Sequence, residues 1–227
     1  AFIAFDPNNP VLLYGGCYQG LIDVMDTQHG HTKDIRQYPS NILAYDAKDM
    51  PYRFNWNAPV IASPHDYNTI YHGGNVLFKT TDGGMSWEEI SPELTRNEES
   101  KQGPGGAPIT NEGAGGENYN TLSYVIESIH EKGVIYTGSD CGLVHITKDG
   151  GKTWKKTNLD YIDDFYYSYG YYFGRISVDP INSDKLYLSG VPIIRSDDGG
   201  KTFSSINREN VHADHHIVWV NPKKPGH

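Results

Sequence analysis

Thr147-Lys148-Asp149-Gly150-Gly151-Lys152-Thr153-Trp154 is one of three copies of a single eight-residue pattern. The others are Thr80-Thr81-Asp82-Gly83-Gly84-Met85-Ser86-Trp87 and Ser196-Asp197-Asp198-Gly199-Gly200-Lys201-Thr202-Phe203. The common skeleton is hydroxyl, any residue, Asp, Gly, Gly, any residue, hydroxyl, aromatic. A repeated turn implies a repeated supersecondary unit. The Asp carboxylate suits hydrogen bonds from main-chain N–H groups one to three residues on. The glycine pair supplies the positive φ of a tight link between antiparallel strands. The hydroxyls can tie the flanking strands, and the aromatic can plug the gap between neighbouring sheets. Asp82, Trp87, Asp149, Trp154, Asp198 and Phe203 are therefore expected to be scaffold, not calcium or substrate ligands.

A second element recurs upstream: an apolar strand, Asp-Pro or a near equivalent, a polar corner, then a strand ending in Tyr and Gly. Copies run from Ile3-Ala4-Phe5-Asp6-Pro7 to Tyr14-Gly15, from Val60-Ile61-Ala62-Ser63-Pro64 to Tyr71-His72-Gly73, and from Ile176-Ser177-Val178-Asp179-Pro180 to Tyr187-Leu188-Ser189-Gly190. Tyr124–Ile129 to Val134–Gly138 is a variant without Pro, and Val218-Trp219-Val220-Asn221-Pro222 opens another copy. Pro ends a strand because it has no N–H for the ladder, and Asp before it favours a turn.

Together the two elements predict a four-stranded antiparallel blade. Starts near residues 3, 61, 125, 176 and 218 are compatible with blades of about 40–50 residues plus insertions. Radial stacking of such blades gives an all-β propeller. Helical periodicity is weak, and Asn97–Lys101 reads as a charged loop. Four units and the start of a fifth do not close comfortably, so the expectation is part of a longer one- or two-propeller protein. Residues 1–159 would hold blades starting near 3, 61 and 125, and residues 160–227 a further blade and the start of another.

A length of 227 residues is ample for a sizeable core. The net charge of −9 argues against nucleic acid or an anionic membrane as partner. No apolar run reaches membrane-spanning length. Cys17 and Cys141, the two cysteines, define no disulfide framework and are either one bridge or two separate thiols. Seventeen Tyr against seven Phe is a polar-aromatic bias shared by binding surfaces and β-rich cores.

The acidic turns resemble the Asp-box, or bacterial neuraminidase repeat, of sialidases, sortilin-type propellers, xyloglucan-acting glycoside hydrolases and photosystem assembly propellers. The chain is similar more specifically to bacterial secreted repeat proteins described as sortilin-like or glycosyl-hydrolase-like. That similarity rests on Arg53–Pro59, Ser91–Thr95, Gly142–His145, Tyr172–Ile176 and His212–His216. It implies two propellers facing each other, and a secreted, periplasmic or cell-surface bacterial protein. In those relatives the part resembling Tyr171–His227 precedes the part resembling Ala1–Leu159; here it follows. Either the blades are arranged differently or pieces of a longer chain are joined near Asn158–Asp164.

Three groups of residues are candidates for chemistry or binding. His212, Asp214 and His216 alternate, so in a strand they would share a face and could converge on a divalent metal; otherwise no cofactor is implied. Tyr166, Tyr167, Tyr169, Tyr171 and Tyr172 could stack on sugar rings or anchor a protein partner, or fill a buried strand. The Gly-rich, charged segment Asn97–Asn120 is too long for an ordinary hairpin. A glycosidase would need two carboxyl groups across a cleft, and Asp23, Asp26, Asp46, Glu112, Glu117, Asp163 and Asp164 stand in no distinguishing signature. Arg175 reads as an inner-strand residue bonded to a neighbour. The expected function is a non-catalytic secreted or cell-envelope module binding a protein or glycan. The alternative is a glycoside hydrolase with paired carboxylates at the channel.

Overall fold

The computed structural model describes residues 2–38, 45–104, 117–157, 175–213 and 215–224. Among the described residues, sixteen strands form four separate sheets of four. Blade 1 is β1 (Ile3–Asp6), β2 (Asn9–Gly16), β3 (Ile22–Asp26) and β4 (His31–Asp34). Blade 2 is β5 (Val60–Ala62), β6 (Ile70–Gly73), β7 (Leu77–Thr80) and β8 (Glu88–Glu89). Blade 3 is β9 (Leu122–Glu127), β10 (Ile135–Ser139), β11 (Val144–Thr147) and β12 (Lys155–Lys156). Blade 4 is β13 (Arg175–Val178), β14 (Leu186–Ser189), β15 (Ile193–Ser196) and β16 (Ser204–Ser205). In every blade the strands pair antiparallel in chain order. The first strands of successive blades pack on one another, β1 on β5, β5 on β9 and β9 on β13, as propeller blades do around an axis.

The core is divided into layers between blades. Tyr14, Ile22, Val60 and Ile70 fill the first, and Tyr71, Leu77, Leu122, Val125 and Ile135 the second. Val144, Ile176, Leu186, Leu188 and Ile194 fill the third. Antiparallel order puts the β1–β2 type corner and the β3–β4 type turn of each blade, acidic in blades 2, 3 and 4, at one end of the molecule, here the lower end. The opposite, upper end collects the middle loops and the long connections between blades.

The acidic turns are closed by hydrogen bonds of their own, with a wiring that differs in detail from the expectation. In blade 3 the Thr147 hydroxyl donates to Asp149 Oδ1 (2.8 Å) and accepts from Gly151 N (2.9 Å). Asp149 Oδ1 also accepts from Thr153 N (2.9 Å), four residues on, and Oδ2 from the Thr153 hydroxyl (2.6 Å). Blades 2 and 4 repeat these bonds around Asp82 and Asp198. The hydroxyls thus serve the turn itself, not the flanking strands. The first glycine of each turn then donates to its own blade's corner: Gly83 to Asn68 O, Gly150 to Gly133 O and Gly199 to Asp184 O. Trp87 Nε1 donates back to Ile35 O (2.6 Å), and Trp154 Nε1 to Ile90 O (2.8 Å), where the chain leaves the preceding blade.

These bonds, led by the Ser or Thr hydroxyl, hold Asp149 and Asp198 at about 2 and lower Asp82 as well. A depressed carboxylate stabilises the fold above its unfolded pKa and loses that contribution as pH falls through the folded value. Unfolding followed by circular dichroism is therefore expected to set in between about pH 4 and pH 2. Asp149→Asn should lower stability at neutral pH and flatten that acid limb; an unchanged limb would contradict the assignment.

The corners use the same economy. Asp6 Oδ1 accepts from Asn8 N and Asp179 Oδ1 from Ile181 N and Asn182 N. Ser63 and Ser128 do this in blades 2 and 3 with a single hydroxyl oxygen. Two expectations are corrected. Glu99–Lys101 forms a short 3-10 turn, closed by Lys101 N to Glu98 O and Gln102 N to Glu99 O. Residues 218–220 form no strand, because a first strand is defined by its ladder with a second and none pairs with it among the described residues. Cys17 and Cys141 are both free.

Candidate functional site

The lower end differs from one blade junction to the next, and that difference makes the cleft. Between blades 1 and 2, Asn68 N donates to Asp6 Oδ2 (3.1 Å), joining the two corners. Between blades 2 and 3, His65 Nε2 meets Ser128 O (2.7 Å) and Lys132 Nζ pairs with Asp66 (2.7 Å). Between blades 3 and 4 no hydrogen bond joins corner 128–134 to corner 179–185 among the described residues. The aromatic plug there is Phe203, which has no N–H to donate where Trp87 and Trp154 each do. A cleft of about 500 Å³ opens at this junction.

Both walls carry apolar groups. Ile126 and Tyr136 come from blade 3, Val178 and Pro180 from blade 4, and Ile129 and Ile181 from the two corners. Ile129 is 69% exposed and Ile181 59% exposed, so the mouth offers apolar surface to a partner. Lys148, His130 and Glu131 also line it, placing both charge signs at its edge. Glu127, Ser128, Asp179 and Ser183 add further polar lining, so half of the lining residues are polar, in a concavity of the volume usual for a ligand pocket.

At the upper end a buried polar network ties the connections together. Arg53, in the link between blades 1 and 2, donates Nη2 to Glu93 Oε2 (2.8 Å) and Nε to Asn120 O (3.3 Å). Asn75, in the β6–β7 loop, accepts from Arg53 N and donates to the same Glu93 oxygen (2.7 Å). Thr121 N and its hydroxyl both donate to Asp140 in the β10–β11 loop (3.0 Å each). Burial pushes the Asp140 carboxyl up to about 7, opposed by the Thr121 bonds and the Arg53 charge. Burial lowers His72 to about 3, beside Gln37 and stacked on Phe54. At the axis the Arg175 guanidinium lies over the Phe2 ring, 5.3 Å from its centroid, with Tyr124 beside that ring. Every one of these groups links connections or inner strands, as expected for Arg175.

Several sequence candidates fall elsewhere. Tyr166, Tyr167, Tyr169, Tyr171 and Tyr172, the join near 158–164, Glu112, Asp163 and Asp164 lie outside the described residues, as does Asp214. His212 and His216 are exposed and neither is in a strand; the His212 ring contacts Ala213 O. Among the described residues no cluster of three His, Cys, Asp or Glu could hold a metal. Asp26 is bonded to His29 within its own hairpin turn, and Asp46 pairs with Lys48. The cleft residues and the Arg53 network were not singled out from the sequence as a site. For the cleft, the one available signal was Phe203 standing where the other two turns have Trp.

Residues 145–156 match the family model described as BNR/Asp-box repeat. Among solved structures, YCF48 from Cyanidioschyzon merolae superposes at a TM-score of 0.55, with 15% identity over 93% of this chain and 57% of that one. The extracellular domain of BT4673 from B. thetaiotaomicron gives 0.57, with 12% identity over 96% of this chain and 24% of that one. The GH74 enzyme of Niastella koreensis gives 0.51, with 17% identity over 93% and 30%. Identity this low speaks for the fold alone. The chain spans between 24% and 57% of the length of these proteins. No curated protein sequence matches. The repeat match and the sheet order make this chain a β-propeller built on BNR/Asp-box repeats. No helix among the described residues is long and apolar enough to cross a membrane.

Proposed function

We propose that the chain is a binding module whose partner inserts an apolar, extended peptide segment into the cleft between blades 3 and 4. The supporting observation is the combination of an unlatched junction with exposed Ile129 and Ile181 at its mouth. Peptide fits this site better than sugar because Tyr136 is the one aromatic among the lining residues, whereas glycan recognition rests on aromatic faces; the polar lining of Glu127, Ser128, Asp179 and Ser183 would serve a peptide main chain. The two corners supply free rims, and Lys148, Glu131 and His130 orient whatever enters. An extracellular bacterial setting follows the likeness to the extracellular domain of BT4673 and belongs to this proposal.

Parallel peptide and glycan arrays test this, with Ile181→Asp and Ile129→Asp as variants. Each is expected to weaken peptide capture by about tenfold or more, the usual effect of losing an interface anchor, while leaving the thermal midpoint unchanged. Glycan capture, or peptide capture indifferent to both variants, would contradict the reading. Release of reducing sugar from a polysaccharide, abolished by changing a single carboxylate, would replace it with hydrolysis.

A further inference from the structure

The side of blade 3 that forms the cleft carries an apolar row ending in a lysine. Residues paired across an antiparallel sheet share a face. In blade 3 one such row runs outward as Ile126, Tyr136, Ile146 and Lys155. Its first two members line the cleft, so Ile146, half-buried, and Lys155, exposed, continue that wall to the outer edge. The same row reads Ile61, Tyr71, Lys79 and Glu88 in blade 2, and Ser177, Tyr187, Arg195 and Ser204 in blade 4. There the cation stands on the third strand, with Glu88 opposite Lys79 and Asp197 paired to Arg195. Blade 1 has Ala4, Tyr14, Val24 and Lys33, but Tyr14 and Ala4 are buried in the latched junction with blade 2. Among the described residues, only blade 3 turns an apolar row with a terminal lysine toward an open junction.

A second lysine stands at the same opening. Lys148 lines the cleft from the second position of its acidic turn, where blade 2 has Thr81 and blade 4 has Asp197. Lys148 and Lys155 are both exposed, and neither enters an ion pair among the described residues. The nearby carboxylates are engaged in their own loops. Glu127 accepts from Gly133 N, Asp179 from Ile181 N and Asn182 N, and Asp149 from Thr153 N and two threonine hydroxyls. Glu131, also in the lining, is exposed on corner 128–134. Two uncommitted cations thus flank the outer end of the cleft, in a chain of net charge −9. A local excess of one sign selects the opposite sign in a partner and rejects its own.

We infer that the peptide taken by the cleft is acidic on one flank: its apolar anchor sits between Ile129 and Ile181, and a carboxylate beside the anchor reaches Lys148 and Lys155. This inference rests on the cleft being a peptide site and adds the charge of its partner. A peptide running outward along the row from Tyr136 to Lys155 crosses two strand spacings, roughly 10 Å, or about three extended residues. The acidic position therefore lies about three residues from the anchor, with Ile146 seating what lies between. Exposed charge pairs are individually weak and act largely on encounter, so their effect is moderate and sensitive to salt.

A peptide array tests it with the 227-residue chain, each peptide carrying an Ile-Leu anchor and Glu, Ser or Lys three positions away on either side. Glu-flanked peptides should bind about threefold to tenfold more tightly than Ser-flanked ones, and Lys-flanked ones more weakly than both. The margin should shrink when salt is raised from about 50 mM to about 500 mM. Reversing both charges, Lys148→Glu with Lys155→Glu, should invert the order in favour of Lys-flanked peptides at an unchanged thermal midpoint. Equal capture of the three series, all weakened by Ile181→Asp, would overturn the inference and leave the cleft reading in place. A Glu preference that survives the double reversal would overturn it as well. A Glu preference lost in that variant yet indifferent to Ile181→Asp would overturn the cleft reading and keep the acidic partner. Capture of none of the peptides would overturn both.

Discussion

Arg53→Ala should be the most damaging single change in the upper half of the molecule, costing about 2–3 kcal/mol. Arg53 is 6% exposed; its main-chain N–H, which the substitution keeps, donates to Asn75, while its guanidinium ties its own connection to the Glu93–Thr95 link and the Asn120 carbonyl. Removing it strands the Glu93 carboxylate with Asn75 and Thr95 as its remaining partners, and leaves the Asn120 carbonyl without that donor. Breaking one side of a partly buried pair costs more than the pair contributes, because the half-buried Glu93 charge stays behind with fewer donors. Arg53→Lys should recover only part of the loss, since an ammonium cannot fork to a carboxylate and a carbonyl together. A urea titration reads both variants, and a double-mutant cycle with Glu93→Gln isolates the pair. A loss below about 1 kcal/mol for Arg53→Ala would show that the connections are held by something else.

Gly151→Ala is expected to cost about 3 kcal/mol, lowering the thermal midpoint by roughly 6–12 °C. Two independent effects add. The backbone sits at φ +102°, where an L side chain is strained, and a Cβ would stand 2.6 Å from Ile90 O and 2.9 Å from Ile90 Cβ. Ile90 belongs to the preceding blade's exit, and its carbonyl already accepts the Trp154 indole N–H, so it cannot give way freely. Gly150→Ala is the control. Its φ is +73° but a Cβ there would meet open space, so only the backbone strain remains, about 1 kcal/mol. Equal losses at the two glycines would mean that the second glycine is needed for its dihedral alone. The same contrast applies in blade 2, where a Cβ on Gly84 would reach within 2.6 Å of Ile35, while Gly83 is nearly unobstructed.

These glycines mark the boundary of what could be read in advance. The need for positive φ was visible in the spacing of Asp, Gly, Gly and aromatic. The close approach of the second glycine to the previous blade was not, because Ile90 lies 61 residues away from Gly151 in sequence. The same holds for the corners: Asp6 as a local cap is a sequence signal, whereas its second oxygen bonding Asn68 is a fact about two blades in contact. The metal reading of His212, Asp214 and His216 assumed a strand, and alternation has meaning only where a ladder fixes the backbone.

By itself the sequence determined the blade, its four-strand order and the position of each tight turn. Those depend on interactions within a few residues: a carboxylate capping nearby N–H groups, a glycine at positive φ, a proline ending a ladder. Only the tertiary structure decided which junctions are latched, where the 500 Å³ cleft opens, and which apolar faces stay exposed. Those depend on pairs of groups far apart in the chain, and a Trp-to-Phe difference becomes a missing hydrogen bond only when the facing carbonyl is in place.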